Sequence, residues 1–135
     1  SSKPLDFLAN RSKILRMVKV NLQEIEFTPP EFRADLYLAE AYHRGLRVSK
    51  LRAIYYIEDR HVLLDEIQTM PDYRHNKISR TLVSSLVTWS QVNNFDYIRG
   101  FIGASLLLKD DPEHFSIFLQ SMGFTVSNSR FRLDL

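Results

Sequence analysis

The hydrophobic positions of the chain change period several times, and these changes divide it into alternating helices and strands. Residues 5–17 place apolar side chains loosely at helical spacing, which predicts a first helix. Residues 18–23 then alternate apolar with polar side chains, the pattern of a half-buried strand. The segment Thr28-Pro29-Pro30-Glu31 places a capping residue, prolines and an acid at the spacing of a helix start. A second helix is therefore predicted over residues 28–44, with Gly45 as its left-handed stop.

The middle of the chain gives clearer periodicities. Two β-rich runs at residues 51–58 and 62–69 flank the polar Asp59-Arg60-His61, which predicts an antiparallel hairpin. Apolar side chains then recur at spacings of 4, 4 and 3 over residues 78–89, the stripe of an amphipathic helix. A short apolar strand at residues 97–103 follows that helix.

The chain closes with one more helix and one more hairpin. Asp110-Asp111-Pro112-Glu113 supplies a cap and a first-turn proline for the helix. Strands at 124–126 and 131–135 flank a polar turn. The order of elements is mixed α/β, and the helix at 78–93 predicts a parallel pairing of the strands before and after it. No repeat or linker interrupts residues 1–135, so a single domain is expected.

Composition narrows the class of protein further. The 135 residues include no cysteine, which excludes disulfides, thiolate metal sites and cysteine nucleophiles and fits a reducing cytoplasm. No apolar run approaches the roughly 20 residues that a membrane-spanning helix needs. The net charge is only +2, which is too small to indicate a nucleic-acid partner from the total alone. Any basic site has to be argued locally.

One local basic cluster lies at the predicted start of the helix at 78–93. Arg74, His75, Lys77 and Arg80 fall within seven positions. A helix N-terminus leaves several backbone N–H groups unpaired at the positive end of its dipole, which suits an anion such as pyrophosphate. Cations at this end are unfavourable for the helix, so a bound phosphate would explain their presence. Long, exposed side chains that are screened by salt are the alternative explanation.

The segment around this cluster, EIQTMPDYRHNKISRTLVSSLVTWSQVNNF, resembles the coenzyme-A-binding segment of the GNAT superfamily of N-acetyltransferases. In that family a strand ends in Val-x-Pro-x-Tyr-Arg, and Gly-x-Gly-x-Gly/Ala and an amphipathic helix follow. Residues 69–74, TMPDYR, are similar to the first half of this pattern, and Met122-Gly123-Phe124 is similar to the family's Leu-Gly-Phe ending. The resemblance covers residues 50–135. It implies a central mixed, mostly antiparallel sheet with a splayed parallel pair, flanked by helices.

The resemblance also implies a reaction and its cofactor. The reaction would be acyl transfer, and in particular acetyl transfer from acetyl-CoA, to an amine acceptor that is a small molecule or a protein. The turn before the helix would wrap the pyrophosphate, and the backbone near Thr69 would pair with the pantetheine arm. The residues implied to bind the cofactor are Thr69, Arg74, His75, Asn76, Lys77, Ile78, Ser79 and Arg80.

Two departures from the family pattern bear on activity. The three glycines of the family's loop fall at His75, Lys77 and Ser79, and a Cβ obstructs close approach to phosphate where the backbone is tight or left-handed. The general-acid tyrosine that is frequent in the family falls at Leu119, which cannot donate a proton.

Asp65 and Glu66 are the candidate catalytic bases. An amine must be neutral to attack a thioester, so a carboxylate or a bound water has to accept its proton. Both acids lie on the strand that leads into the cofactor turn. Successive strand residues face opposite ways, so only one of them can point into the site unless a bulge intervenes. Surface carboxylates on the polar face of a hairpin are the alternative explanation.

Three functions therefore follow from the sequence. The first is a GNAT-type acyltransferase, and the second is an inactive GNAT-like fold that acts as a regulatory or protein-interaction module. The third is a small nucleic-acid-associated protein that uses basic residues at 11–19 and 44–52. The acceptor and the oligomeric state stay open, a homodimer being the commonest symmetric assembly.

Overall fold

The computed structural model describes residues 19–74, 77–103 and 112–135. Within these residues the strands are β1 (Ile25–Phe27), β2 (Glu31–Arg33), β3 (Leu36–His43), β4 (Leu46–Tyr56), β5 (His61–Thr69), β6 (Tyr97–Phe101), β7 (Thr125–Ser127) and β8 (Arg130–Asp134). The helices are α1 (Ile78–Val92) and α2 (Pro112–Ser121). Single turns of 3-10 helix occupy Leu22–Glu24 and Pro71–Tyr73.

The eight described strands form one mixed sheet. Its order is β1-β3-β4-β5-β6-β8-β7, and β2 also pairs with β3. Every pair is antiparallel except β5 with β6. Parallel neighbours need a crossover connection, and α1 provides it between β5 and β6. The predicted fold class, a mostly antiparallel mixed sheet with one parallel pair and flanking helices, is confirmed.

The prediction of a helix over residues 28–44 is wrong. The segment forms β2 and β3, which pair around a two-residue turn at Ala34 and Asp35, where Ala34 has a φ of 53°. Residues 36–43 can satisfy either period, and in the sheet every second side chain is buried: Tyr37, Ala39, Ala41 and His43. Strand pairing on both sides of β3 therefore outweighs the helix propensity of this segment.

The residues that resembled a helix start have a different role in the sheet. The Thr28 hydroxyl donates to the Glu40 carbonyl at 3.2 Å and accepts from the Glu40 N–H at 3.1 Å. Pro29 and Pro30 have no N–H to donate, and they separate β1 from β2 along the same side of β3. Gly45 does adopt a positive φ of 80°, but this conformation serves the turn between β3 and β4.

The prediction of a strand at residues 18–23 is also wrong for residues 19–23, which the structure describes. Leu22–Glu24 is a turn of 3-10 helix, and the first strand begins only at Ile25. The helix predicted at residues 5–17 and the cap predicted at Asp110-Asp111 lie outside the described residues.

The elements predicted for the rest of the chain are confirmed. The hairpin of β4 and β5, the helix α1, the strand β6, the helix α2 and the hairpin of β7 and β8 all lie where the periodicities place them. The strand β4 is longer than predicted, because it begins at Leu46.

Both helices contribute to one core on one face of the sheet. Leu82 and Leu86 of α1 and Phe115 and Leu119 of α2 belong to the same buried cluster as the apolar side chains of the central strands. Side chains alternate across a strand, so the opposite face of the central strands carries their charged residues. We call this opposite side the polar face. No helix in the described ranges is long and apolar enough to cross a membrane.

Candidate active site

The gap between β5 and β6 is the first feature of the site. The two parallel strands pair only through His61–Leu63 and Tyr97–Arg99, although β5 continues to Thr69. In the part of the chain that the structure describes, the side of β5 that faces β6 is therefore left without a strand partner along residues 64–69. An open strand edge of this kind can hydrogen-bond the amide groups of an extended ligand, as an added strand does.

The turn between β5 and α1 is the second feature. It begins with the 3-10 turn Pro71–Tyr73 and ends at Lys77, which has φ 63° and ψ 14°. This is the left-handed conformation that favours glycine, and Lys77 occupies one of the family's three glycine positions. The backbone thus keeps a glycine-like shape at this position in spite of the side chain. His75 and Asn76 lie outside the described residues.

The N-terminus of α1 is chemically suited to an anion. Among the described residues no side chain caps it, and its first turn contains no acidic residue. The first helical hydrogen bond runs from the Thr81 N–H to the Lys77 carbonyl at 3.0 Å, so the N–H groups of the three residues before Thr81 have no partner within the helix. The exposed Lys77 adds positive charge beside them. Together these groups fit a phosphate.

Both arginines predicted to bind the cofactor donate hydrogen bonds from their side chains to other residues of the chain. Arg74 Nε donates to the Thr69 carbonyl, although at 3.4 Å the hydrogen bond is long. The Arg80 guanidinium donates to the Ser121 hydroxyl at 2.6 Å and lies 5.8 Å from the centre of the Phe118 ring. The side chain of Arg80 is therefore held against α2, and its backbone N–H is the part that lies at the turn.

Ser79 and Ile78 attach the start of α1 to the sheet. Ser79 Oγ lies 2.5 Å from Thr69 Oγ1, which in turn lies 2.8 Å from Ser49 Oγ. The Ser49 hydroxyl also lies 2.8 Å from the Gln68 carbonyl, to which it can donate. Ile78 is only 1% exposed and packs in a buried cluster. These contacts hold the end of β5 against the anion-suited end of α1.

A β-bulge brings Asp65 and Glu66 to the same side of the sheet. Arg52 is registered with Glu66 and Ala53 with Leu64, which leaves Asp65 as the extra residue of β5. Both carboxylates consequently reach one guanidinium: Arg52 lies 2.6 Å from Asp65 and 3.4 Å from Glu66. The sequence predicts that the two acids can share a face only if a bulge intervenes, and β5 has such a bulge.

Glu66 is the less exposed of the two acids, with 12% of its side chain accessible against 31% for Asp65. Burial alone raises the pKa of Glu66, but hydrogen bonds from Lys50 and Gln68 and the charges of Lys50 and Arg52 outweigh burial. The pKa of Glu66 therefore lies below its ordinary value of 4.5. A carboxylate of this kind is ionised at neutral pH and is a weak direct base, so it is better suited to orient an amine or a water.

His43 lies against the turn between β5 and α1, and the sequence analysis did not identify it. Its Nδ1 is 3.0 Å from the Tyr73 hydroxyl, the two rings meet edge to face at 5.5 Å, and its Nε2 is 3.4 Å from Glu24 Oε2. His43 is 7% exposed, whereas the Glu24 side chain is 55% exposed, so the contact with Tyr73 is the more shielded of the two. Its two partners lie 30 and 19 residues away in the sequence, and no local pattern indicates such a contact.

Leu119 lies inside the core, where it is 0% exposed on the inner side of α2. This position therefore supplies no proton donor to the gap. Within the described ranges, no group of three or more His, Asp or Glu side chains is arranged to hold a metal ion.

Comparison with known proteins rests on structure alone. No protein-family model matches the sequence, and no curated protein matches it. A GNAT family acetyltransferase from Elizabethkingia anophelis with acetyl-CoA bound has a TM-score of 0.64 at 8% identity, over 83% of this chain and 99% of that one. The ribosomal-protein-S18-alanine N-acetyltransferase from Escherichia coli has a TM-score of 0.63 at 13% identity, over 83% of this chain and 81% of that one.

A third similar structure is the PaiA N-acetyltransferase from Thermoplasma acidophilum in complex with coenzyme A. Its TM-score is 0.61 at 15% identity, over 75% of this chain and 62% of that one. At such identities the likeness concerns the fold. The chain has the fold of the GNAT-family acetyltransferases, as the resemblance of its sequence implies.

Proposed function

We propose that this chain transfers an acyl group from acyl-CoA, in particular acetyl from acetyl-CoA, to the amine of an acceptor. The observation that carries the proposal is the junction of β5 with α1. The helix N-terminus, which has no side-chain cap among the described residues and no acid in its first turn, follows one turn after a strand whose edge toward β6 is open along residues 64–69. Structures with this fold include proteins crystallised with coenzyme A or acetyl-CoA.

The chain's own residues would hold acyl-CoA along this junction. The backbone N–H groups of Ile78, Ser79 and Arg80 would bind the pyrophosphate, together with the ammonium group of Lys77. The left-handed backbone of Lys77 supports this role, because it keeps the shape that glycine gives to such a turn. The open edge of β5 would then accept the amide groups of the pantetheine arm up to the bulge at Asp65.

The carboxylates at the bulge would handle the amine's proton. When bound, acyl-CoA supplies an activated thioester carbonyl, which a neutral amine attacks with loss of the CoA thiol. Asp65 and Glu66 would orient the amine and accept its proton, directly or through a water. The lowered pKa of Glu66 favours the route through a water. In this route the carboxylate positions the water, and the water accepts the proton of the amine.

A second candidate is a module that binds acyl-CoA without catalysis. Both acids at the bulge are engaged by Arg52, and the position of the family's general acid is the buried Leu119. Under this alternative the cofactor binds, but no amine is acylated.

Binding is tested by thermal unfolding with and without acetyl-CoA. Ligand at about 100 times its Kd stabilises a protein by about 2.7 kcal/mol, which for a chain of this size raises Tm by roughly 10 °C. Ser79→Asp should abolish the rise, because a carboxylate would stand beside the pyrophosphate. Ser79→Ala separates the loss of the hydroxyl contact from the added charge, and Ser84→Asp, on an exposed position of the same helix, is the matched control.

Turnover is tested by measuring the release of free thiol in the presence of a panel of amines. The chain has no cysteine, so every thiol in the reaction comes from CoA. Thiol release that depends on an amine supports the acyltransferase, whereas acetyl-CoA binding without release supports the non-catalytic module. No change of Tm at millimolar acetyl-CoA contradicts both.

A further inference from the structure

Three arginines lie close together on the polar face of the sheet, at the side of β6 away from β5. They are Arg99 on β6 and Arg130 and Arg132 on β8. The register pairs Arg99 directly with Arg132, and Phe101 directly with Arg130. Two like charges directly opposite each other in an antiparallel pair destabilise a sheet. The sequence thus places a destabilising charge pair at this site.

Only one of the three arginines has an acidic partner in the described part of the chain. Arg132 Nε lies 2.8 Å from Asp134 Oδ1, and its guanidinium lies 3.8 Å from the centre of the Tyr97 ring. Arg99 and Arg130 have no carboxylate partner among the described residues. Within the described part of the chain neither charge is neutralised, which suits an anionic ligand.

The ring of Phe101 contacts both of these arginines. The guanidinium carbons of Arg99 and Arg130 are each 5.7 Å from the centre of its ring, and Phe101 is 50% exposed. An aromatic ring in cation–π contact with two guanidinium groups limits the positions that both can take and so pre-orients them. Guanidinium groups bind carboxylate and phosphate through two parallel hydrogen bonds.

These side chains line an open cleft of about 890 Å³, together with Thr125 and Ser127 of β7. The volume is that of a small-molecule site. We propose that this cleft binds the anionic group, a carboxylate or a phosphate, of a small amine acceptor, and that Arg99 and Arg130 hold this group. The proposal rests on the acyl transfer proposed above and specifies its acceptor.

One lining residue of the cleft, Arg99, lies at the point where β5 and β6 separate. Arg99 is registered with Leu63, the last pair before β5 and β6 separate, and the bulge at Asp65 follows two residues later. Adjacent strands are about 5 Å apart. An anion held by Arg99 and Arg130 would therefore place an amine in the gap if only a few bonds separate the two groups. The acceptor is accordingly a short amine that carries an acidic group.

The experiment is a calorimetric titration with pairs of amines that differ in the acidic group, first without acyl-CoA and then with CoA present. O-phosphoethanolamine is compared with ethanolamine for the phosphate, and β-alanine with propylamine for the carboxylate. We expect one acidic amine to bind at least about tenfold more tightly than its neutral counterpart, the size of effect of one hydrogen-bonded charge. Equal affinities within both pairs would overturn the proposal.

Variants locate the site. Arg99→Gln and Arg130→Gln should each reduce the preference for the acidic amine about tenfold. The corresponding Lys variants should keep part of it, because they keep the charge without the two parallel hydrogen bonds. Arg33→Gln, on the exposed strand β2, is the control and should change nothing. An unchanged preference in both Gln variants, with native Tm, would overturn the assignment.

Two further results separate this proposal from the others. The preference is measured without acyl-CoA, so a failure to bind acetyl-CoA contradicts the acyltransferase and leaves the anion site to be judged by its own titration. A 12-nucleotide single-stranded RNA is titrated in parallel. If it binds more tightly than either acidic amine, with an affinity that falls steeply with salt and is lost in the Gln variants, the cleft is a nucleic-acid site and the small-acceptor proposal is wrong.

Discussion

The Nδ1 atom of His43 lies 3.0 Å from the hydroxyl of Tyr73, and this contact joins β3 to the turn that leads into α1. His43 is almost completely buried, whereas the turn itself is largely exposed. Surface turns are as a class more mobile than the strands of a sheet. This hydrogen bond anchors the turn to β3. The shape of the proposed pyrophosphate site therefore depends on a residue distant from it in sequence.

Removal of this hydrogen bond should lower stability and weaken acetyl-CoA binding together. Tyr73→Phe should cost about 1 kcal/mol in the free energy of unfolding, the usual net contribution of one hydrogen bond. In a double-mutant cycle with His43→Leu, measured by urea unfolding, we expect a coupling energy of about 1 kcal/mol. His43→Asn serves as a control, because its amide can reach the same hydroxyl. Additive effects of Tyr73→Phe and His43→Leu would show that the contact contributes nothing.

Lys77 provides a second prediction, on backbone strain. Its φ of 63° is costly for any residue with a Cβ, by about 1 kcal/mol. Lys77→Gly should therefore make the protein more stable than Lys77→Ala by about 1 kcal/mol in urea unfolding. Both variants lose the ammonium group, so this pair isolates the backbone. Equal stabilities of the two would contradict the left-handed conformation at this residue.

The same pair of variants also tests the role of the Lys77 charge. If the ammonium group binds phosphate, Lys77→Gly and Lys77→Ala should both weaken acetyl-CoA binding, whereas Lys77→Arg should preserve most of it. Calorimetry measures these affinities. An affinity that Lys77→Gly leaves at the wild-type level would show that the backbone N–H groups suffice.

The sequence predicted the later part of the chain well because the signals there are local. The stripe over residues 78–89 determines α1 within one short window. Asp59 and Arg60 likewise mark the turn between β4 and β5, although the predicted third turn residue, His61, is the first residue of β5. Residues 36–43 were assigned to the wrong class because alternate burial becomes visible only once β2 and β4 are in place beside them. Tertiary pairing decides such ambiguous segments.

The features of the candidate site could likewise be predicted where their signals are local, and not where they depend on strand pairing. The turn at residues 69–80 could be predicted, since the order of its landmarks is contained in one continuous segment. The bulge at Asp65 could not, because it depends on the register of β5 against β4. Arg99 and Arg130 could not be predicted for a related reason: they are 31 positions apart, and both contact the ring of Phe101 only when β6 pairs with β8.

Glu66 provides a prediction on pH. Its pKa in the folded protein is lower than its ordinary value of 4.5, so its ion pairs stabilise the fold above that value. This contribution is lost as the pH falls from 4.5 through the lowered pKa. Glu66→Gln should therefore destabilise the protein at pH 7, and the difference from wild type should shrink in urea unfolding between pH 4.5 and pH 3. The exposed Glu26→Gln is the control. A destabilisation by Glu66→Gln that does not change with pH would mean that packing, not charge, is lost.

Gly100 gives the last prediction, which concerns the strand that carries Arg99 and Phe101. Gly100 is registered with Phe131, and a Cβ added at Gly100 would overlap the Phe131 ring. Phe131 is 2% exposed and packed in the core, so the ring has little room to move. Gly100→Ala should therefore lower the free energy of unfolding by about 3 kcal/mol.

Gly103→Ala is the matched control for this change. Among the described residues beyond its chain neighbours, no heavy atom lies within 4 Å of a Cβ at Gly103. The same substitution, only two residues beyond the end of β6, should therefore alter stability by less than about 0.5 kcal/mol. If Gly100→Ala unfolds at the same urea concentration as Gly103→Ala, the ring of Phe131 does not lie across Gly100. The distance between β6 and β8, and with it the spacing of the arginines on the polar face, would then have to differ from that described.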